Sequence, residues 1–169
     1  PFPQINYYMF NSVQHLTRFT FFSLWLVFCM VQTGGPQIDL QHLLDQAQIA
    51  LQQENWEQSL SLYRRVVESD SESVSAWIGV GVSLSHLERN SEAIAPLERA
   101  VELVPEDARI QGVLARTYFK NRQYDQADEW YQKAIKLHPT SAPVSWYLDL
   151  GLIEMHRGHF EQARRYYIV

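Results

Sequence analysis

Residues 108–141 read ARIQGVLARTYFKNRQYDQADEWYQKAIKLHPTS, and this stretch lands on itself when the chain is shifted by its own length of 34 residues. Shifted back once, it meets Trp77, Val80, Gly81, Leu84, Ala93, Leu97, Ala100 and Pro105 in place of Gln111, Leu114, Ala115, Tyr118, Ala127, Tyr131, Ala134 and Pro139. Shifted back again, it meets a fainter echo in Ala47, Trp56, Ser59, Tyr63 and Val66. Shifted forward by 36, it meets Tyr147, Leu150, Gly151, Phe160, Ala163 and Tyr167. A fixed period of this size marks a solenoid, in which each unit leans on its neighbours.

Within each unit two runs carry apolar residues at helical spacing, divided by a short polar break. Ile110, Val113, Leu114, Tyr118 and Phe119 share overlapping faces of the first run, and Tyr124, Ala127, Tyr131, Ala134, Ile135 and Leu137 of the second. Neither helix can bury its stripe alone, so stacking must supply the core. Small residues recur where two helices would cross: Ala47 and Ser59, Gly81 and Ala93, Ala115 and Ala127, Gly151 and Ala163. A glycine inside a helix costs about 1 kcal/mol against alanine. Gly81 and Gly151 therefore predict something packed tightly upon them. Trp56, Tyr63, Trp77, Tyr118, Tyr124, Tyr131, Tyr147, Phe160 and Tyr167 recur at equivalent places and are expected in the core. Phe119 and Trp146 do not recur and are expected as exposed anchors for a partner.

The period and these residues together resemble the tetratricopeptide (TPR) repeat, whose pattern is W-x2-L-G-x2-Y, A-x3-F and P over 34 residues. The matches are Trp77-x2-Val80-Gly81-x2-Leu84, Ala93-x3-Leu97 and Pro105, then Leu114-Ala115-x2-Tyr118, Ala127-x3-Tyr131 and Pro139, then Tyr147-x2-Leu150-Gly151 and Ala163-x3-Tyr167. The resemblance covers about residues 40–169. It implies an all-α fold, a right-handed superhelical solenoid of antiparallel helix pairs, with repeats at about 40–73, 74–107, 108–141 and a truncated 144–169. Ser69–Ser73, Pro105–Asp107 and Pro139–Pro143 read as joints between repeats, the last two residues longer, which accounts for the 36-residue step. Asp39 is placed to cap the first helix. The last residue falls inside the second helix of the fourth repeat. The expectation is a longer protein, or an open end covered by another molecule.

The chain has 169 residues, 46% hydrophobic and 20% charged, with net charge −5. Its acidity and the lack of a basic run argue against nucleic acid as a partner. All 19 acids follow residue 38, whereas residues 1–38 hold one basic residue, Arg18. Phe19–Val31 is a block of 13 residues dense in apolar side chains, short for a spanning helix of roughly 20. It fits the apolar core of a secretory signal, an uncleaved anchor, or a helix capping the first repeat. Gly34-Gly35-Pro36 reads as a linker. The expected division is a signal or anchor segment over 1–35 and the repeat domain over 36–169. With either of the first two readings, the repeats lie in the periplasm or otherwise outside the cytoplasm, exported or held at an inner membrane.

The single cysteine, Cys29, lies inside the apolar block. His156 and His159 flank a helix–helix turn and read as solvated rather than metal-ligating, and Asp128-Glu129 as solvated surface. No phosphate loop, nucleophile elbow or metalloprotease motif occurs. No cofactor and no catalytic residue is expected.

The resemblance implies instead a concave groove lined by the first helix of each pair. Its positions map onto Gln41, Leu44, Gln48 and Gln52, then Ser75, Ile78, Val82, Ser85 and His86, then Arg109, Gly112, Arg116 and Lys120, then Ser145, Leu148, Leu152 and Met155. The candidate partner-binding residues are Ile78, Val82, His86, Arg109, Arg116, Phe119, Lys120, Leu148 and Leu152. Ile78, Val82, Leu148 and Leu152 form apolar steps. Arg109, Arg116 and Lys120 fall near one helical stripe, which suits a carboxylate on the partner. The lysine and asparagine clamp that one TPR subfamily uses for chaperone C-termini is not matched, because Leu44, Gln48 and Val82 stand there. The expected function is a non-enzymatic protein–protein interaction scaffold or assembly factor that holds a peptide, helix or subunit. The alternatives are the regulatory or substrate-recruiting arm of a larger enzyme, and an oligomerisation module stacking through its open end.

Overall fold

A computed structural model describes residues 39–168, whose helix pairs recur at steps of 34, 34 and 36 residues. The first helices of the pairs are α1 (Leu40–Gln52), α3 (Val74–His86), α5 (Ala108–Lys120) and α7 (Val144–His156), and the second are α2 (Trp56–Ser69), α4 (Asn90–Leu103), α6 (Tyr124–Leu137) and α8 (Phe160–Tyr166). The apolar block, Cys29 and the glycine–proline linker lie outside the described residues. None of the described helices is long and apolar enough to cross a membrane.

Each pair is closed by the same turn. Glu54, Glu88, Arg122 and Gly158 sit in the left-handed region, with φ of 57°, 60°, 61° and 79°. After each, the next N–H donates back into the preceding helix: Asn55 to Ala50, Arg89 to Leu84, Gln123 to Tyr118 and His159 to Glu154, all at 2.9 Å. This is the Schellman arrangement that satisfies the orphan carbonyls of a helix end. Helix starts are less uniform. Asp39 accepts from the His42 N–H at 3.2 Å, as its position predicts, and Asp107 accepts from the Arg109 and Ile110 N–H groups.

The first helices touch one another in succession, α1 to α3, α3 to α5 and α5 to α7, whereas no two second helices do. The first helices are thus the inner layer and the second helices the outer. Leu43 to Ala93 fill one section of core and Leu97 to Ile153 the next, the two meeting along α4. The predicted small residues are all buried at the crossings. A Cβ on Gly81 would stand 2.4 Å from Leu97 Cγ, and one on Gly151 2.5 Å from the Tyr167 ring. Both glycines thus carry the tight neighbours their presence predicts.

Gln111 occupies the place of Trp77 in the repeat and performs one of its duties. Trp77 Nε1 donates to the Ser71 carbonyl at 2.9 Å, and Gln111 Nε2 donates to the Pro105 carbonyl at 2.7 Å, each reaching six residues back into the preceding joint.

Four expectations about aromatic residues are corrected. Phe119 is half-buried and packs on the core rather than standing exposed. Trp146 is not an exposed anchor but a core side chain, buried against Gly112, where a Cβ would come within 2.1 Å of Trp146 Cζ2. Position 146 is in phase with the buried Ala76 and Ile110, so its ring points inward whatever its size. Phe160 and Tyr167 are exposed, at 68% and 42%. Phe160 opens α8 and Tyr167 follows its last residue, and among the described residues no helix lies beyond α8 to cover its outer side.

Candidate functional site

Between the inner faces of α3 and α5 lies an open cleft of about 310 Å³, lined by Val82, Ser85, His86, Val113, Arg116, Thr117 and Lys120. Val82 and Val113 give it apolar walls, and Arg116 and Lys120 give it a positive rim. Lys120 Nζ lies 3.3 Å from Ser85 Oγ, which ties the two helices across the cleft. Among the described residues Arg116 has neither an ion pair nor a hydrogen-bonded side-chain partner.

His86 closes one end. Its ring stacks on Trp56 of α2, with centroids 3.9 Å apart and planes 7° from parallel. Burial holds the imidazole pKa below its ordinary value; Lys120 and Arg116 push the same way, and Glu54 opposes them. The neutral ring therefore prevails near pH 7, leaving the positive charge to Arg116 and Lys120.

Sequence reasoning brings four of its nine candidates to this place: Val82, His86, Arg116 and Lys120. Leu148 and Leu152 lie on the next inner helix, α7, exposed by 46% and 41%, with Met155 beside them at 46%. Ile78 and Phe119 are half-buried and pack on the core, Phe119 against Tyr124 at 5.8 Å between ring centroids. Arg109 is separated from the other two cations. It pairs with Asp107 at 2.9 Å and borders a different hollow, shared with Val104, Glu106, His138 and Ser141. Helical phase brings residues 109, 116 and 120 onto one side, but the helix-capping carboxylate of Asp107 captures the first. Gly112, mapped to the groove, is covered by Trp146.

The histidines and acids near the last turn are better bound than the sequence implies. Arg157 bridges Asp125 of α6 at 2.5 Å, Asp128 of α6 at 2.8 Å and Glu154 of α7 at 2.6 Å. His159 Nδ1 lies 2.8 Å from the other oxygen of Glu154, and His156 stacks on Tyr124 at 4.7 Å. Asp128 is thus part of a structural ion network, not solvated surface. Burial would raise the Glu154 pKa, but the hydrogen bonds from Arg157 and His159 outweigh it and hold the carboxyl below its ordinary value. Among the described residues no cluster of three or more His, Cys, Asp or Glu is placed to hold a metal ion.

Tetratricopeptide repeat family models match residues 44–108 and 84–145, together 102 of 169 residues. The chain belongs to the tetratricopeptide repeat family. Tetratricopeptide repeat protein 37 of Xenopus laevis is 26% identical over 112 residues, covering 64% of this chain and 7% of that protein. Superkiller complex protein 3 of Mus musculus is 26% identical over 132 residues, covering 73% of this chain and 8% of that protein. This TPR chain therefore spans less than a tenth of the length of these curated relatives. Among solved structures, MamA from Desulfovibrio magneticus RS-1 superposes with a TM-score of 0.73 at 20% identity, over 78% of this chain and 73% of that one. That likeness carries the TPR fold and nothing further.

Proposed function

We propose that this domain is a non-enzymatic scaffold that holds a peptide, helix or subunit of another protein along its inner face. The observation that carries the reading is the cleft between α3 and α5, where two apolar walls and Arg116 and Lys120 stand open together. A pocket with a few placed polar groups on an apolar floor is the ordinary form of a recognition site. The name of one relative, a complex protein, agrees with a place in an assembly. We further propose export or inner-membrane anchoring through Phe19–Val31, on the strength of its apolar density alone.

Site-specific photocrosslinking tests the scaffold reading. With a photoreactive residue at Val82, the full chain should form discrete adducts with a cellular protein; with one at Glu129, on an outer helix, it should not. Adducts from Glu129 alone would move the working surface to the outer layer. A reporter active only outside the cytoplasm, fused after Val169, tests the location: an inactive reporter on a stably expressed fusion would refute export.

A further inference from the structure

The charge of the domain is distributed unevenly between its layers. Residues 39–169 hold 19 acids against 13 lysines and arginines, the total of 14 less Arg18. The inner layer departs from this balance. The second, fifth, ninth, twelfth and thirteenth residues of α1, α3, α5 and α7 include no acid, although they include Arg109, Arg116 and Lys120. Those columns are thus free of acids in a negatively charged domain, although Asp45 and Asp149 stand in the column of the cleft-lining Val113, where Asp149 accepts a hydrogen bond from the Tyr131 hydroxyl.

The apolar residues on that face are placed as unevenly. Val82, Arg116 and Leu152 hold the same position in successive repeats, and Ser85, Phe119 and Met155 another. Following the first column, a cation is succeeded by a leucine one repeat further on. Leu148, Leu152 and Met155, at i, i+4 and i+7 of α7, form a single exposed stripe. The stripe lies on the helix next to the cationic cleft, since α5 and α7 are in contact.

We propose that the inner face takes a protein segment that is acidic and apolar at once, with a carboxylate at Arg116 and Lys120 and apolar side chains on Leu148, Leu152 and Met155. The inference rests on the scaffold reading and adds the chemistry of the occupant. Guanidinium and ammonium groups recognise carboxylates through charge-assisted hydrogen bonds. A segment without acids would leave Arg116 desolvated and unpaired, which is costly. A segment without apolar side chains would leave the α7 stripe in water. A nucleic acid fits less well, since its phosphates would approach a domain of net negative charge and meet leucine and methionine beside two cations.

The test is selection from a phage library of random 12-residue peptides on the full chain, repeated on Arg116→Glu and Leu152→Ser variants that melt as the parent does. The parent should enrich peptides in which Asp or Glu stands near Leu, Ile or Phe. The tightest of these, made synthetically, should bind at least 10-fold more weakly to Arg116→Glu and several-fold more weakly to Leu152→Ser. Enriched peptides that are basic or neutral, or that ignore both substitutions, would overturn this inference and leave the scaffold reading standing. No enrichment on the parent would overturn both. A fluorescent 20-nucleotide oligouridine that binds the parent as tightly as the best peptide, and loses affinity in Arg116→Glu, would overturn the choice of protein over nucleic acid.

Discussion

The left-handed residues at the helix turns are where single side chains carry the most strain. Glu54, Glu88 and Arg122 adopt φ near +60°, where a Cβ crowds the following carbonyl, whereas the fourth turn uses Gly158. Arg122 is exposed and makes no ion pair among the described residues, so nothing else is lost by replacing it. Arg122→Gly is expected to stabilise the domain by roughly 0.5–1 kcal/mol, read as a higher urea midpoint at unchanged slope. The opposite holds in the core. Gly112→Ala places a methyl 2.1 Å from Trp146 Cζ2, and the indole is enclosed. Overpacking of this kind costs about 1–3 kcal/mol, so the melting temperature should fall by several degrees. The small residue at 112 and the large one at 146 are readable in the sequence, but not as a pair. The phase of Trp146, shared with Ala76 and Ile110, was the available signal, and it marks the inward face more dependably than ring size marks exposure.

At the scale of elements, the helices and their joints were legible because period and polar residues agree at every repeat, with proline at the second and third joints. The longer joint before α7, six residues where the others have four, was legible as the 36-residue step. The ion network that ties the α7–α8 turn to α6 was not. Arg157, Asp125, Asp128 and Glu154 come from three segments, and no local pattern distinguishes them from solvated charges. The Glu154 carboxyl is held below its ordinary value of 4.5 by Arg157 and His159 against the pull of burial. Its contribution to stability is therefore full above the unfolded value and is lost as pH falls through the folded one. Glu154→Gln should lower stability at pH 7 and flatten the acid limb of a stability curve measured between about pH 5 and pH 3. An acid limb as steep in the variant as in the parent would show that other carboxylates govern that range.

For the whole molecule, the repeat architecture follows from a stack in which first helices line one side and second helices the other. That layering converts positions scattered over a hundred residues into one surface, and it brings Arg116, Lys120, Val82 and His86 together from two repeats. The part of the site that sequence reasoning missed is the separation of Arg109, which depends on the Asp107 side chain turning back to cap α5. Val113 and Thr117 were also missed as lining residues, since both fall a little off the columns assigned to the groove.

The central claim is that the inner face is the working surface. The most direct measurement is paired affinity capture from native extract, with the full chain and an Arg116→Glu variant of equal melting temperature as baits. Proteins retained by the parent and lost by the variant are the result this account predicts, with at least a 10-fold drop in recovery. Equal recovery of the same proteins by both baits would contradict it and place recognition on the outer helices or at α8.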